Sequence, residues 1–138
     1  MTKAERQSLL TVPLVALLGA GLAVAGSQGG EMVGGVGVYA VAVGVSFLIQ
    51  WVVFLPSYLA RTERFFDLTG SATYLLVTLG VLVLSGRWDA RRVLLAVLVL
   101  VWAVRLGTFL FARVSRSGAD DRFDEIKGSF PRFLVVWT

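Results

Sequence analysis

Between Val36 and Leu55 the chain runs without one charged residue, and no other feature limits its folding as severely. As a helix this run is about 30 Å long, the thickness of a bilayer's hydrocarbon core. In water so long an apolar surface would need a large polar cover. The composition does not provide one: 57% of residues are hydrophobic, 16% are charged and the mean hydropathy is +0.79. Lipid is therefore the solvent this sequence is written for, and a backbone in lipid must satisfy its own hydrogen bonds, which a helix does. The fold class expected is all-α, a multi-spanning transmembrane helical bundle forming a single domain over residues 1–138.

Three further runs are read as spans. The first covers residues 9–25, with Pro13 near its start. Its basic flank and its Ala23-Val24-Ala25 ending also match the plan of a cleavable signal peptide, but it is expected to be retained. The second span is the 36–55 run, which Pro56 is expected to close. The third covers 68–84 and is the most polar, with Thr69, Gly70, Ser71, Thr73 and Thr78. Its hydroxyls are expected to bond back to helix carbonyls. The fourth covers 93–112. A charged stretch follows from Arg113 to Lys127, and the apolar segment from residue 130 reads as the start of a fifth span. A chain that stops inside such a segment suggests a truncated reading frame.

Lys3, Arg6, Arg61, Arg64, Arg113, Arg116, Arg122, Lys127 and Arg132 fall in segments that four spans put on one side of the membrane. The other side receives Glu31 with Arg87, Arg91 and Arg92. The positive-inside rule makes the richer side cytoplasmic, with both termini there. Basic residues that bracket spans argue against nucleic acid as a partner and for the lipid bilayer. The absence of histidine and cysteine removes the commonest general base, the usual transition-metal ligands and all disulfide chemistry.

Few side chains are placed to do chemistry. Arg105 is the charged residue well inside a span, roughly 10 Å of helix before Ala112. Either its guanidinium snorkels to the interface, or it faces the bundle and meets a carboxylate or a ligand phosphate. Trp102 shares its face. Gln50 and Ser46 share a face of the second span and are expected to bond to another helix. Ala16 with Ala20, Gly19 with Ala23 and Ala40 with Gly44 are small pairs that permit close helix approach, within the chain or in a homo-oligomer. The run from Asp120 to Lys127 reads as a solvated interfacial segment, without the fixed geometry a metal site needs. The glycines at 29–30 and 34–35 lack the strand-loop-helix setting of a phosphate loop.

Three stretches taken together carry a resemblance: Arg61-Thr62-Glu63-Arg64-Phe65-Phe66-Asp67-Leu68-Thr69-Gly70-Ser71, then Trp102-Ala103-Val104-Arg105-Leu106-Gly107, then Asp121-Arg122-Phe123-Asp124-Glu125-Ile126-Lys127 with Phe133 and Trp137. In that order they resemble the N-terminal half of bacterial DUF1295 proteins, which belong with the steroid 5α-reductase and sterol-reductase superfamily. The resemblance implies an enzyme of the bacterial inner membrane that uses NADPH from the cytoplasmic side to reduce a double bond in a lipid-like substrate. It implies cofactor-binding roles for Arg105, Asp121, Arg122 and Asp124. In such enzymes C-terminal helices build much of the dinucleotide pocket, so this chain is expected to be the N-terminal part, binding NADPH poorly alone. The steroid reductases carry a glutamate before a Leu-Pro-Ser. Phe54 stands there in this chain, so steroid reduction is not implied and no catalytic residue is assigned.

The rival reading is a non-catalytic assembly or scaffold subunit. A dimerising half-transporter is disfavoured because no span is broken at its middle by glycine or proline.

Overall fold

The computed structural model describes residues 1–118 and 121–138, so Asp120 of the acidic run lies outside the described residues. Five helices account for nearly all of the regular structure. They are α1 (Lys3–Ser27), α2 (Val38–Leu59), α3 (Phe66–Ser85), α4 (Ala90–Ser117) and the short α5 (Phe130–Trp137). The first four are long and apolar enough to cross a membrane. Between α1 and α2, β1 (Met32–Val33) and β2 (Val36–Gly37) form a small antiparallel hairpin. Its turn rests on Gly34 and Gly35 at φ of 58° and 83°, a left-handed pair that glycine adopts without strain.

The helices are longer than the apolar runs inside them because polar residues cap and extend them. Thr2 and Glu5 close a capping box at the start of α1, with Glu5 N–H donating to Thr2 Oγ1 at 3.2 Å and Thr2 N–H to Glu5 Oε2 at 2.8 Å. Pro13 therefore lies in the helix interior. Asp89 caps α4, and that helix runs on through Arg113 and Arg116 to Ser117, taking the first residues of the expected charged segment. Pro56 does not close α2, which continues to Leu59. The break falls instead at Ala60 and Arg61, where Arg61 takes a φ of 49°.

In packing order α4 lies on α3, α3 on α2, and α2 on α1, while α5 fills the groove between α1 and α2. The α3–α4 contact runs along small residues: Ala96, Ala103 and Gly107 of α4 are buried, as are Thr69, Ser71 and Thr73 of α3. A side chain at Gly107 would have its Cβ 2.6 Å from Ser71 Cβ, so this crossing needs glycine. Two of the hydroxyls bond back as expected, Thr69 Oγ1 to the Phe65 carbonyl at 2.6 Å and Thr73 Oγ1 to that of Thr69 at 2.8 Å. Gln50 does bridge helices, donating from Nε2 to Thr73 Oγ1 at 3.3 Å, whereas Ser46 bonds to its own helix at Ala42. Of the small pairs, Gly19 is buried against Phe47 of α2, while nothing lies within 4 Å of a side chain built at Gly44.

Ion pairs sort the connecting segments into two ends. At one, Glu31 meets Arg92 at 2.8 Å and Arg87 at 3.6 Å. At the other, Arg122 meets Asp67, Lys127 meets Glu63, and Ser129 Oγ donates to Glu5 Oε1 at 2.9 Å. This is the grouping expected from the basic residues. α5 enters from the second end, antiparallel to α2: Phe130 packs on Tyr58 with ring centroids 5.1 Å apart, Phe133 on Phe54 at 5.7 Å, and Trp51 Nε1 donates to Thr138 Oγ1 at 3.1 Å. Phe54, Phe123, Phe133 and Trp137 form the buried aromatic core there.

Candidate functional site

Asp67 lies in the first turn of α3, where the exposed N–H groups of the helix favour a carboxylate. Arg122 reaches it from the far side of the chain, its guanidinium 3.3 Å from Asp67 Oδ2 and 5.4 Å from the centre of the Phe123 ring. A second bridge lies close by in sequence. Lys127 Nζ stands 3.3 Å from Oε2 of the buried Glu63 and 2.9 Å from Asp124 Oδ1. The Asp124 hydrogen bond, reinforced by Glu63, holds the Lys127 ammonium above its ordinary pKa. The two bridges tie the segment after α4 to the first turn of α3 and to the loop before it.

Below this rim lies a cavity of about 330 Å³ between α2, α3, α4 and α5. Asp67, Ser71, Tyr74, Gln50, Leu106 and Trp137 are among its walls. Trp137 is 1% exposed, and its indole Nε1 has no hydrogen-bond partner among the described residues. The cavity thus joins a carboxylate, a hydroxyl and an amide to aromatic and aliphatic surface. Such walls suit an amphipathic molecule with one polar end. In the loop between α2 and α3, Arg61 and Arg64 are exposed and form no ion pair among the described residues. With Arg122 they can meet phosphate, and Asp121 and Asp124 can accept from hydroxyls.

The four residues expected at a cofactor divide into two groups. Asp121 opens a short 3-10 turn, and with Arg122 and Asp124 it belongs to the rim. Arg105 does not line this cavity. It is exposed and has no carboxylate within ion-pair distance among the described residues, and it lines a separate groove made of α4 residues alone. The helix geometry explains the separation. Ala103 faces α3, and two residues turn a helix by about 200°, so Arg105 points away from the bundle. Trp102 lines the same groove, as its spacing implied, with its ring 5.2 Å from that of Tyr74. Reading the small seam at 96, 103 and 107 would have located this face. Asp67 and Glu63, which anchor the rim, entered the sequence reading only as members of the first stretch that carries the resemblance, with no role assigned. Phe54, at the position before Leu-Pro-Ser, is a core residue 2% exposed.

The three stretches that carry the resemblance therefore meet at one place, through Asp67 with Arg122, Ser71 with Gly107, and Trp137 with Phe66. The family model for protein of unknown function (DUF1295) matches residues 53–138. The chain belongs to the DUF1295 family. The DUF1295 match begins near the end of α2 and takes in the whole rim, α3, α4 and α5, leaving Gln50 as the one cavity residue named above that lies outside it. Comparison with curated proteins and with solved structures finds no match.

Proposed function

We propose that this DUF1295 chain contributes the membrane-inserted substrate pocket of a reductase-like protein, one that acts on a lipid-like double bond with NADPH supplied at the ion-paired end. One observation carries the reading. The three stretches by which the chain resembles DUF1295 proteins contribute to the walls or the rim of a single cavity with a polar rim and apolar walls. Arg61, Arg64 and Arg122 would meet the phosphates of the nucleotide, and Asp121 and Asp124 its ribose hydroxyls. The bound nucleotide would supply reducing equivalents. The chain's own part is to seat the apolar body of the substrate against Leu106 and Trp137, hold its polar end near Asp67, and keep water out with the aromatic core. The excess of basic residues at this end supports a cytoplasmic rim.

Two experiments test the reading. Membranes carrying the chain are incubated with millimolar NADPH deuterated at either face of C4, a level that accommodates binding of only ~4 kcal/mol. Deuterium should appear in a lipid fraction and disappear in Asp67→Asn. If neither face delivers deuterium to lipid from folded protein, the reductase reading is overturned in favour of a non-catalytic membrane subunit. Orientation is read with an impermeant thiol reagent on Ser27→Cys and Ser117→Cys. Labelling of the second alone from outside would reverse the assignment of sides.

A further inference from the structure

Apart from the contact of Trp102 with Tyr74 of α3, the outer face of α4 packs against no other helix to any extent among the described residues, yet it is far from featureless. It carries a groove of about 1040 Å³. Trp102, Leu106 and Phe109 form its apolar floor, and Arg105, Arg113 and Arg116 its cationic part. All three arginines lack an ion-pair partner among the described residues. The neighbouring hydroxyls are engaged: Thr108 Oγ1 donates to the Val104 carbonyl at 2.8 Å, and Ser117 Oγ to that of Arg113 at 2.9 Å. The polar hydrogens left to meet a ligand are those of the guanidinium groups and of the Trp102 indole.

Their order along the helix specifies the ligand. Arg113 and Arg116 are one turn apart, beyond the apolar run, at the depth of lipid phosphates. Arg105 lies about 12 Å deeper than Arg113 along the axis. A guanidinium in hydrocarbon is costly unless it extends toward the interface or meets an anion. The floor residues lie between and below these cations, where an acyl chain would run. We propose that this groove binds an anionic phospholipid, with the phosphate between Arg113 and Arg116, one acyl chain along Trp102, Leu106 and Phe109, and Arg105 extending only part of the way toward the headgroup. Charge complementarity favours a lipid over a second protein, because the face offers three cations and no carboxylate among its described lining residues. The lipid groove shares Leu106 with the wall of the cavity but stands apart from the nucleotide rim and does not depend on it.

The test uses the full chain in nanodiscs of phosphatidylcholine containing a fixed fraction of dibrominated lipid, either phosphatidylglycerol or phosphatidylcholine. Bromine quenches tryptophan on contact, and Trp102 lies in the groove. Brominated phosphatidylglycerol should quench more strongly than brominated phosphatidylcholine, and Trp102→Phe should remove that excess. Each of Arg113→Gln and Arg116→Gln should reduce the preference for the anionic lipid about five-fold, equivalent to ~1 kcal/mol. Arg61→Gln with Arg64→Gln should leave it unchanged. Equal quenching by the two lipids would overturn the proposal, as would an excess that survives the double Arg113/Arg116 variant. So would displacement of the lipid by millimolar inorganic phosphate, which would mark a site for a soluble anion.

Discussion

At the end carrying Glu31, two short turns meet through one carboxylate shared by Arg87 and Arg92, and nothing aromatic is buried beneath it. At the opposite end the amino terminus, the loop before α3, the segment after α4 and the start of α5 converge on two bridges and a core of four large aromatic residues. The first arrangement closes a hairpin and asks little more of its residues. The second joins positions far apart in the chain, Asp67 with Arg122 and Glu63 with Lys127, and leaves a polar-rimmed cavity below them. In a membrane protein the apolar surface is already satisfied by lipid, so specific packing and polar pairing must hold such an end together. Buried aromatic residues and interlocked charges at one end therefore mark where this fold is made precise.

The contrast can be broken most forcefully at its centre. Phe133 is 0% exposed and touches Phe54, Phe123 and Trp137. Phe133→Ala should cost about 3–5 kcal/mol, seen as a large loss of thermal stability in detergent. A loss no greater than that of Glu31→Gln would mean that the two ends are equally important.

Next in size is the seam that carries α4. Gly107→Val should destabilise by about 1–3 kcal/mol through overpacking on Ser71, and Ser71→Gly in the same chain should recover part of it. Absence of recovery would show that the helices do not cross there.

Glu63→Gln removes the charge facing Lys127 while Asp124 still holds the ammonium, so a loss of roughly 1–3 kcal/mol is expected at neutral pH. The sign of its pH dependence follows from Lys127. Its folded-state pKa is raised above the ordinary 10.5, so its contribution is complete below that value and is lost as pH rises through the higher folded value. The gap between parent and Glu63→Gln melting temperatures should close in strongly alkaline buffer and stay constant from neutral to mildly alkaline pH.

The smallest effects belong to exposed charges. Glu31→Gln should change stability by no more than about 1 kcal/mol, since Arg87 is largely in solvent and the half-buried Arg92 keeps Asp89 as a partner. Arg105→Leu should lie within about 0.5 kcal/mol of the parent in neutral detergent, because no buried partner is left behind. A loss of several kcal/mol in Arg105→Leu would instead reveal a carboxylate paired with it inside the bundle.

How much of this was legible beforehand depends on the range of the interaction involved. The apolar run from Val36 to Leu55 and the bracketing arginines are local features, and the spans and the two groups of connecting segments follow from them by adding residue contributions. Helix ends were less legible. Pro56 looked like a stop, but a proline removes only one hydrogen bond and α2 passes through it to Leu59. Arg113 and Arg116 looked like a loop, but arginine is a good helix former and α4 keeps them. The site was legible only in part. Asp121, Arg122 and Asp124 lie together in the segment that pairs with Glu63 and Asp67, while Arg105 lies on the outer face of α4.

By itself, then, the sequence determined that this chain lies in a membrane as helices, which segments share a side, and that hydroxyls such as those of Thr69 and Thr73 bond back to their own helix. Hydrophobic transfer and backbone hydrogen bonding set those outcomes residue by residue. Only the tertiary structure decided which charge meets which, that Gly107 and Ser71 are the point of closest approach, and that Arg105 turns away from the cavity. These depend on the rotation of each helix about its axis and on the register between neighbours, quantities fixed by mutual packing of distant side chains and encoded in no single segment.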